Sequence, residues 1–346
     1  MRLATFEVAT PVGKFQRIGE LRGDTIVDFT AATALQLRDE KQHPQPLQLA
    51  NAIMPADMIG LLDLGDAGLE TAAAALDFVA KRGGGTDIVG IDDMRVVYGR
   101  DEVKLLAPLP RPRTLRDFSV YHAHALQKMG GAHNEDWHTR LTAYKGNPQT
   151  VVGPEDDILW PRYTEQLDLE LEFGAVIGKR GKNIPVDEGE SHVVGYTIYI
   201  DCSARDAQGR EWLGPFKGKD FCTVLGPCIV TTDEFDYRNA RAWYDVDGER
   251  WWEGNTNEPR AFFTDAMVAW ASAEEELLPG EVLGSGTVGE QCSFDTGRWI
   301  KPGASIEIGI EGLGVLSHNV VRETTETGPV GMDAGIVSHL SPKDYV

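Results

Sequence analysis

The chain has 346 residues, with 33 Lys and Arg against 54 Asp and Glu, a formal charge of −21. That imbalance argues against a nucleic-acid partner or an anionic membrane surface. The 42% hydrophobic and 25% charged residues are the proportions of a globular protein able to bury a full core.

The opening MRLATFEVATPVG has neither the basic start nor the apolar run of a signal peptide, and no stretch approaches the ~20 apolar residues of a membrane span. Residues 1 to about 30 read as short strands, LATFEV, GKFQRIGEL and DTIVDFT, divided by Gly and Pro. From about 45 to 82 the pattern turns helical, and LETAAAALDFVAKRGGG ends in the glycines expected of a helix C-cap. A strand, MRVVYGR, leads to PLPRPRT, whose prolines stiffen the chain and suit a boundary. Two domains are expected, a small N-terminal α+β domain over 1–105 and a β-rich catalytic domain over 106–346. Beyond the boundary strands dominate: TVVGPEDDILWP, LDLELEFGAVIGKR, VVGYTIYID, FCTVLGPCIVT, ARAWYDVDGERWWEG and ASIEIGIEGLGVLSHNVV. The clearest intervening helix is FFTDAMVAWASAEEELL. The expected class is α+β. Four cysteines, Cys202, Cys222, Cys228 and Cys292, form no CxxC pair, which suits a reducing cytoplasm.

Chemistry concentrates in LDLELEF. Residues two apart in a strand share a face, so Leu167, Leu169, Leu171 and Phe173 form an apolar stripe opposite Asp168, Glu170 and Glu172. Three carboxylates in a row repel one another, and burial raises their pKa values unless a cation is present. The alternatives are a hard divalent ion on oxygen ligands or a solvated acidic face. Asp201, read as ending the strand VVGYTIYI, and Asp117, after PRTLR, add to the set. An all-acid set suits Mg²⁺, Mn²⁺ or Ca²⁺ rather than zinc. Arg205, Arg210, Lys217 and Lys219 gather after Asp201 in a chain short of positive charge. Lys219, between small neighbours in GKD, could steady a developing enolate oxygen, or the group could be a basic surface loop.

Together these segments resemble the fumarylacetoacetate hydrolase superfamily over roughly residues 105 to 325. The blocks RDFSVYHAHA, YKGNPQTVVGPEDDI, LDLELEFGAVIGKR, VVGYTIYIDCSARDAQ, LGPFKGKDFCTVLGP, GSGTVGEQCSFD and GASIEIGIEGLGVL carry the resemblance by their joint order. Bacterial members described as hydratases, isomerases or hydrolases of aromatic-catabolism intermediates are the nearest in pattern. The resemblance implies a mixed β-sandwich or β-roll fold, a homodimer and a divalent metal, Mg²⁺ first with Mn²⁺ or Ca²⁺ as alternatives. It implies Asp117, Glu170, Glu172 and Asp201 as metal ligands, with Asp168 a flanking acid. It implies His124 as general base on water, with Arg205, Gln208, Lys219 and Thr223 around substrate and leaving group, Tyr144 as a substrate contact and Thr287 on the substrate side. Four positions depart from the pattern. His122 stands for a common Glu, Cys202 for a Trp and Cys222 for a small residue, and Asp295 stands where hydrolases orient the base with a Glu.

This set implies a metal-dependent hydrolase that cleaves a C–C bond in a dioxo acid of acylpyruvate or fumarylacetoacetate type through a metal-bound enolate, with His124, oriented by Asp295, activating water. Competing expectations are a hydratase, isomerase, tautomerase or decarboxylase of a 2-oxo-enoate, and, from another class, a ligand-binding protein that retains the fold. Residues 125 to 143 read either as a mobile cover, with Gly130 and Gly131 as hinges and His133 with Glu135 as a second acid–base pair, or as a surface loop. His318 reads as structural.

Overall fold

A computed structural model describes residues 1–128 and 135–323, with Glu135 and Asp136 described by their backbone alone. Its architecture is α+β, dominated by one large mixed sheet and a second sheet of five strands. The N-terminal strands form as the alternation predicts, over Arg2–Thr10, Gly13–Arg22 and Thr25–Asp28. DTIVDFT, however, ends as a helix start. Asp28 accepts the Ala31 amide at 2.9 Å and caps the Phe29–Asp39 helix, which the strand reading had not included. The helical region beyond it divides into Pro46–Ile53, Met58–Asp63 and Gly65–Ala80. These helices cover the N-terminal strands in a core of Leu35, Leu61, Leu76, Phe78 and Val79.

The first strand pairs antiparallel with Thr223–Thr231, Arg2 opposite Val230, so the main sheet runs across the 105/106 boundary. From there the sheet continues through Val193–Ala204, Leu167–Ile177, Val282–Gly284, Leu115–Phe118 and Ala143–Gly146. The second sheet holds the hairpin Arg241–Val246 and Glu249–Asn255, the hairpin Ser305–Ile310 and Gly314–Arg322, and Ile158–Trp160.

All eleven residues of Leu167–Ile177 are buried. Its apolar face, Leu167, Leu169, Leu171 and Phe173, shares a core with Ala242, Tyr244, Ile306, Ile308 and Leu316 of the second sheet. The opposite face carries the acids, and with Asp168 and Glu172 wholly inaccessible and Glu170 at 1% the solvated-face alternative falls away. Asp201 is also placed differently from the expectation. The strand runs on to Ala204, and Asp201 sits within it, opposite Glu170 on one side and Thr223 on the other. The helix in FFTDAMVAWASAEEELL is shorter than its pattern, Thr264–Ala271, and the chain then pairs as a strand at Glu276–Leu277.

Candidate active site

Pairing across the main sheet lays the acids side by side. Asp201 faces Glu170, Gly284 faces Asp117, and Asp117 faces Tyr144 in the strand beyond. One carboxylate oxygen from each of Asp117, Glu172 and Asp201 lies within 4.8 Å of the others, and all three residues are buried. Asp117 Oδ1 and Glu172 Oε1 are buried without a hydrogen-bond donor among the described residues. The other Glu172 oxygen accepts the Gly286 amide at 2.8 Å. Gly284 keeps this space open, since a Cβ there would stand 2.8 Å from Asp117 Oδ1 and 3.0 Å from Glu172 Oε2.

The electrostatics follow from burial. Burial pushes the Glu172 carboxyl well above its ordinary range, with Asp117 and Asp201 adding to the shift. Burial does the same to Asp201, opposed by Lys219 and reinforced by Asp117 and Glu170. Glu170 behaves oppositely. Burial would raise it, but Arg205, Lys128, Lys219 and His124 outweigh that and hold it well below the usual carboxylate range. Two unsatisfied buried oxygens, three converging carboxylates and an all-oxygen donor set fit a hard divalent cation, which would relieve the repulsion that raises Glu172 and Asp201.

Glu170 stands apart from the trio. Its Oε2 and Asp201 Oδ2 share the buried Lys219 ammonium, while its Oε1 takes an Arg205 N–H at 2.7 Å. His124 Nε2 is 2.9 Å from the same Oε1, and its Nδ1 meets both oxygens of Asp295, at 2.9 and 3.0 Å. The sequence-level pairing of His124 with Asp295 is therefore formed, and the loss of one methylene relative to Glu leaves contact intact. Lys219 retains its proton firmly: burial opposes the charge, but Asp201 and Glu170 overcome it and raise the ammonium above its ordinary value.

A cavity of about 420 Å³ opens onto this row, lined by Asp117, His124, Glu170, Glu172 and Lys219 among others. Tyr144, Gln208 and Thr287 of the expected substrate contacts also line it. Tyr144 donates its hydroxyl to Asp201 Oδ1 at 2.7 Å, and burial with that neighbouring acid pushes the phenol well above its usual range. Arg205 and Thr223 lie behind the wall. Arg205 is engaged with Asp168, Glu170 and the Gln208 side-chain oxygen, and Thr223 is buried beside Asp201.

Residues outside the sequence expectation join the wall. Lys128, with Nζ 3.7 Å from Glu170 Oε1, and Arg140 bring positive charge to the mouth. Cys292 lies 3.1 Å from Asp295 Oδ2 and 3.8 Å from His124 Nδ1. Only a fold could reveal it, since nothing in CSFD marks a thiol as neighbour to a histidine 168 residues away. In the 125–143 segment, Trp137 lines the cavity and donates to the Ser119 carbonyl at 3.1 Å, and His122 packs against Trp137 and His138. Gly130, Gly131 and His133 lie outside the described residues, as does the Glu135 side chain. His318 accords with a structural role: its Nδ1 lies 2.7 Å from the Asp156 carbonyl, and burial lowers its pKa. A wider cleft of about 890 Å³ near Asp63, Arg113 and His192 contains none of the converging acids.

Converging buried carboxylates, a fixed ammonium and a carboxylate-anchored histidine around one small cavity define an acid–base enzyme site with a place for a divalent ion. The chain belongs to the fumarylacetoacetate hydrolase family, whose "Fumarylacetoacetate (FAA) hydrolase C-terminal" profile matches residues 114–321. It is 33% identical over 277 residues to the mitochondrial oxaloacetate tautomerase fahd2 of Xenopus laevis, covering 78% of this chain and 79% of that one. A bovine mitochondrial oxaloacetate tautomerase, FAHD2B of Bos taurus, is 32% identical over 276 residues, 78% of this chain and 81% of its own. Among solved structures, the maleylpyruvate hydrolase of Sphingobium sp. SYK-6 in complex with manganese(II) and pyruvate has a TM-score of 0.66 at 23% identity, covering 94% of this chain and all of the other. The fumarylacetoacetate hydrolase of psychrophilic Exiguobacterium antarcticum scores 0.67 at 24% identity, covering 93% and 100%. Both structures establish the fold.

Proposed function

We propose that the protein is a divalent-metal-dependent enzyme that moves a proton at the carbon beside the oxo group of a small 2-oxo acid, interconverting its keto and enol forms. The observation that carries this reading is His124, held at Nδ1 by both oxygens of Asp295 and placed against the carboxylate row at the cavity wall. The tautomerase names of relatives matching most of both chains support keto–enol exchange over the other chemistries of the family.

Asp117, Glu172 and Asp201 would hold the ion, with Glu170 as a neighbouring fourth acid, and Mg²⁺ or Mn²⁺ suits the oxygen donors. Bound there, the ion would supply Lewis-acid polarisation of the oxo group. Asp295 takes the Nδ1 proton of His124 in a hydrogen bond, which leaves Nε2 to accept a proton from the substrate carbon. The imidazolium so formed lies between two carboxylates, Asp295 and Glu170, that stabilise its charge. The carbon's electron pair moves into the new C=C bond and the oxo oxygen becomes anionic. Lys219 places a buried ammonium on the wall where that charge develops. The proton held by the His124 imidazolium is then delivered to that oxygen by way of solvent, which completes the enol and restores the neutral base, and the reverse path regenerates the ketone.

A second reading, hydrolysis of a C–C bond in an acylpyruvate-like dioxo acid, is favoured by the same His124–Asp295 pair, because an anchored imidazole can take its proton from water. We further propose a homodimer in the cytoplasm.

The test is to follow enol-oxaloacetate by ultraviolet absorbance, and deuterium uptake at its C3, with Mg²⁺ or Mn²⁺ and with EDTA. Acylpyruvates are assayed alongside for pyruvate. Metal-dependent acceleration of enol decay without pyruvate release supports the tautomerase. Pyruvate plus a carboxylic acid from an acylpyruvate moves the assignment to the hydrolase, and inertness towards every compound overturns both.

A further inference from the structure

Asp168 stands outside the carboxylate trio and pairs instead with the Arg205 guanidinium. It is fully buried, and both its oxygens are saturated. Oδ1 accepts the amides of Leu169 at 2.9 Å and Ser293 at 2.6 Å, and Oδ2 accepts the Phe294 amide at 3.0 Å and Arg205 Nε at 2.8 Å. Two of those donors are the opening amides of the Ser293–Thr296 helix, whose own Cys292 N-cap makes no side-chain cap. Asp295, the anchor of His124, is the next residue of that helix. On the other side, Arg205 passes the constraint on, giving an N–H to the Glu170 oxygen that lies 2.9 Å from His124 Nε2.

We infer that Asp168 is a positioning residue for the base: one buried carboxylate fixes the helix that sets Asp295 against Nδ1 and the guanidinium that sets Glu170 against Nε2. This rests on the reading of His124 and Asp295 as the base pair. The physical argument is that a four-residue helix has too few internal hydrogen bonds to hold its own place. Its position is set by whatever its first amides bind, and here that is Asp168. An Asn at 168 offers one acceptor oxygen and turns an NH₂ group towards donors. Misplacing a catalytic group by a fraction of an ångström to 1 Å is worth up to about 10²-fold in rate.

The test is a double-mutant cycle with Asp168→Asn, Asp295→Asn and their combination. Ser293→Pro is added, which deletes one donor to Asp168 while keeping the carboxylate. Proline is tolerated at a first helical position, and Cys292 already has the extended φ −79, ψ 168 required before it. Asp168→Asn is expected to lower kcat about 10–100-fold, with KM and the Mn²⁺ dissociation constant within about twofold of wild type. Ser293→Pro should shift kcat the same way by a smaller factor. The downfield proton signal of His124 Nδ1–H should move or vanish in both variants. The double variant should be within about threefold of Asp295→Asn alone, since two residues acting through one contact are non-additive. Full additivity, or an unchanged His124 signal with unchanged kcat in Ser293→Pro, overturns the inference. If Asp295→Asn itself leaves kcat unchanged, it is the assignment of the base pair that fails. Where Asp168→Asn does not fold, Ser293→Pro and the signal of His124 decide the matter.

Discussion

At the scale of single residues, the site depends on who stands next to whom within about one bond length. His124→Ala removes the group that takes the proton while leaving Asp117, Glu172 and Asp201 in place. The expected outcome is a kcat lowered about 10²–10⁴-fold with Mn²⁺ affinity by calorimetry nearly unchanged. Loss of metal binding with it would contradict a role as base. Gly284→Ala acts the other way. Its Cβ would press on Asp117 and Glu172 together, so divalent-ion affinity should fall by about tenfold or more as the carboxylates are pushed apart. Circular dichroism should remain that of the wild type, and an ion bound as tightly as before would remove Gly284 from the account of the site.

At the scale of elements, Leu167–Ile177 supplies one wall of the core and one wall of the site. Its alternation was readable from sequence because side-chain period is a local property of a strand. What lay beyond reach was that both faces are buried, since an isolated strand pattern cannot say whether polar side chains meet water or another layer. Leu171→Ala should lower the unfolding free energy by about 2–5 kcal/mol in denaturant melts, because Leu171 is fully buried against the second sheet. A loss under 1 kcal/mol would mean that the site repacks freely, at odds with a rigid platform for the acids. Asp201 shows the complementary limit of reading. A strand boundary placed from pattern alone stopped three residues short, because the pairing that extends the strand to Ala204 comes from Leu167 and its neighbours.

At the scale of the whole molecule, the buried acids couple folding to pH and to metal. In the metal-free chain Glu172 and Asp201 are raised, so the folded state keeps protons that the unfolded state gives up near pH 4. The unfolded state then binds fewer protons at these two sites, and their contribution to stability falls as pH rises above about 4. Two lowered groups act in the opposite sense: Glu170 only below about pH 4, and His318, lowered by burial, only below its unfolded value of about 6.5. Thermal melts in EDTA should give a Tm that declines from about pH 6.5, above the range in which His318 titrates, to about pH 8. Mg²⁺ or Mn²⁺ should restore most stability at about pH 8, where protons compete least for the carboxylates, by about 2.7 kcal/mol at a hundredfold excess over Kd. A Tm in EDTA that is flat across this range would argue against burial as the source of the raised carboxyls.

The sequence by itself determined the strand-borne acids at 168, 170 and 172, the surplus of negative charge and the ordered blocks that mark the family, because these are local patterns or their linear order. It also named His124 with Asp295 as its orienting acid, though only through the family pattern that the two positions match. Only the tertiary structure decided the geometry of that contact, across 171 residues of chain and with one methylene fewer than Glu, and that Glu170 joins the cationic side of the site while Glu172 joins Asp117 and Asp201. The reason is physical: two acids on one strand face are equivalent by period, and what separates their roles is which neighbouring strand, helix or loop arrives beside each.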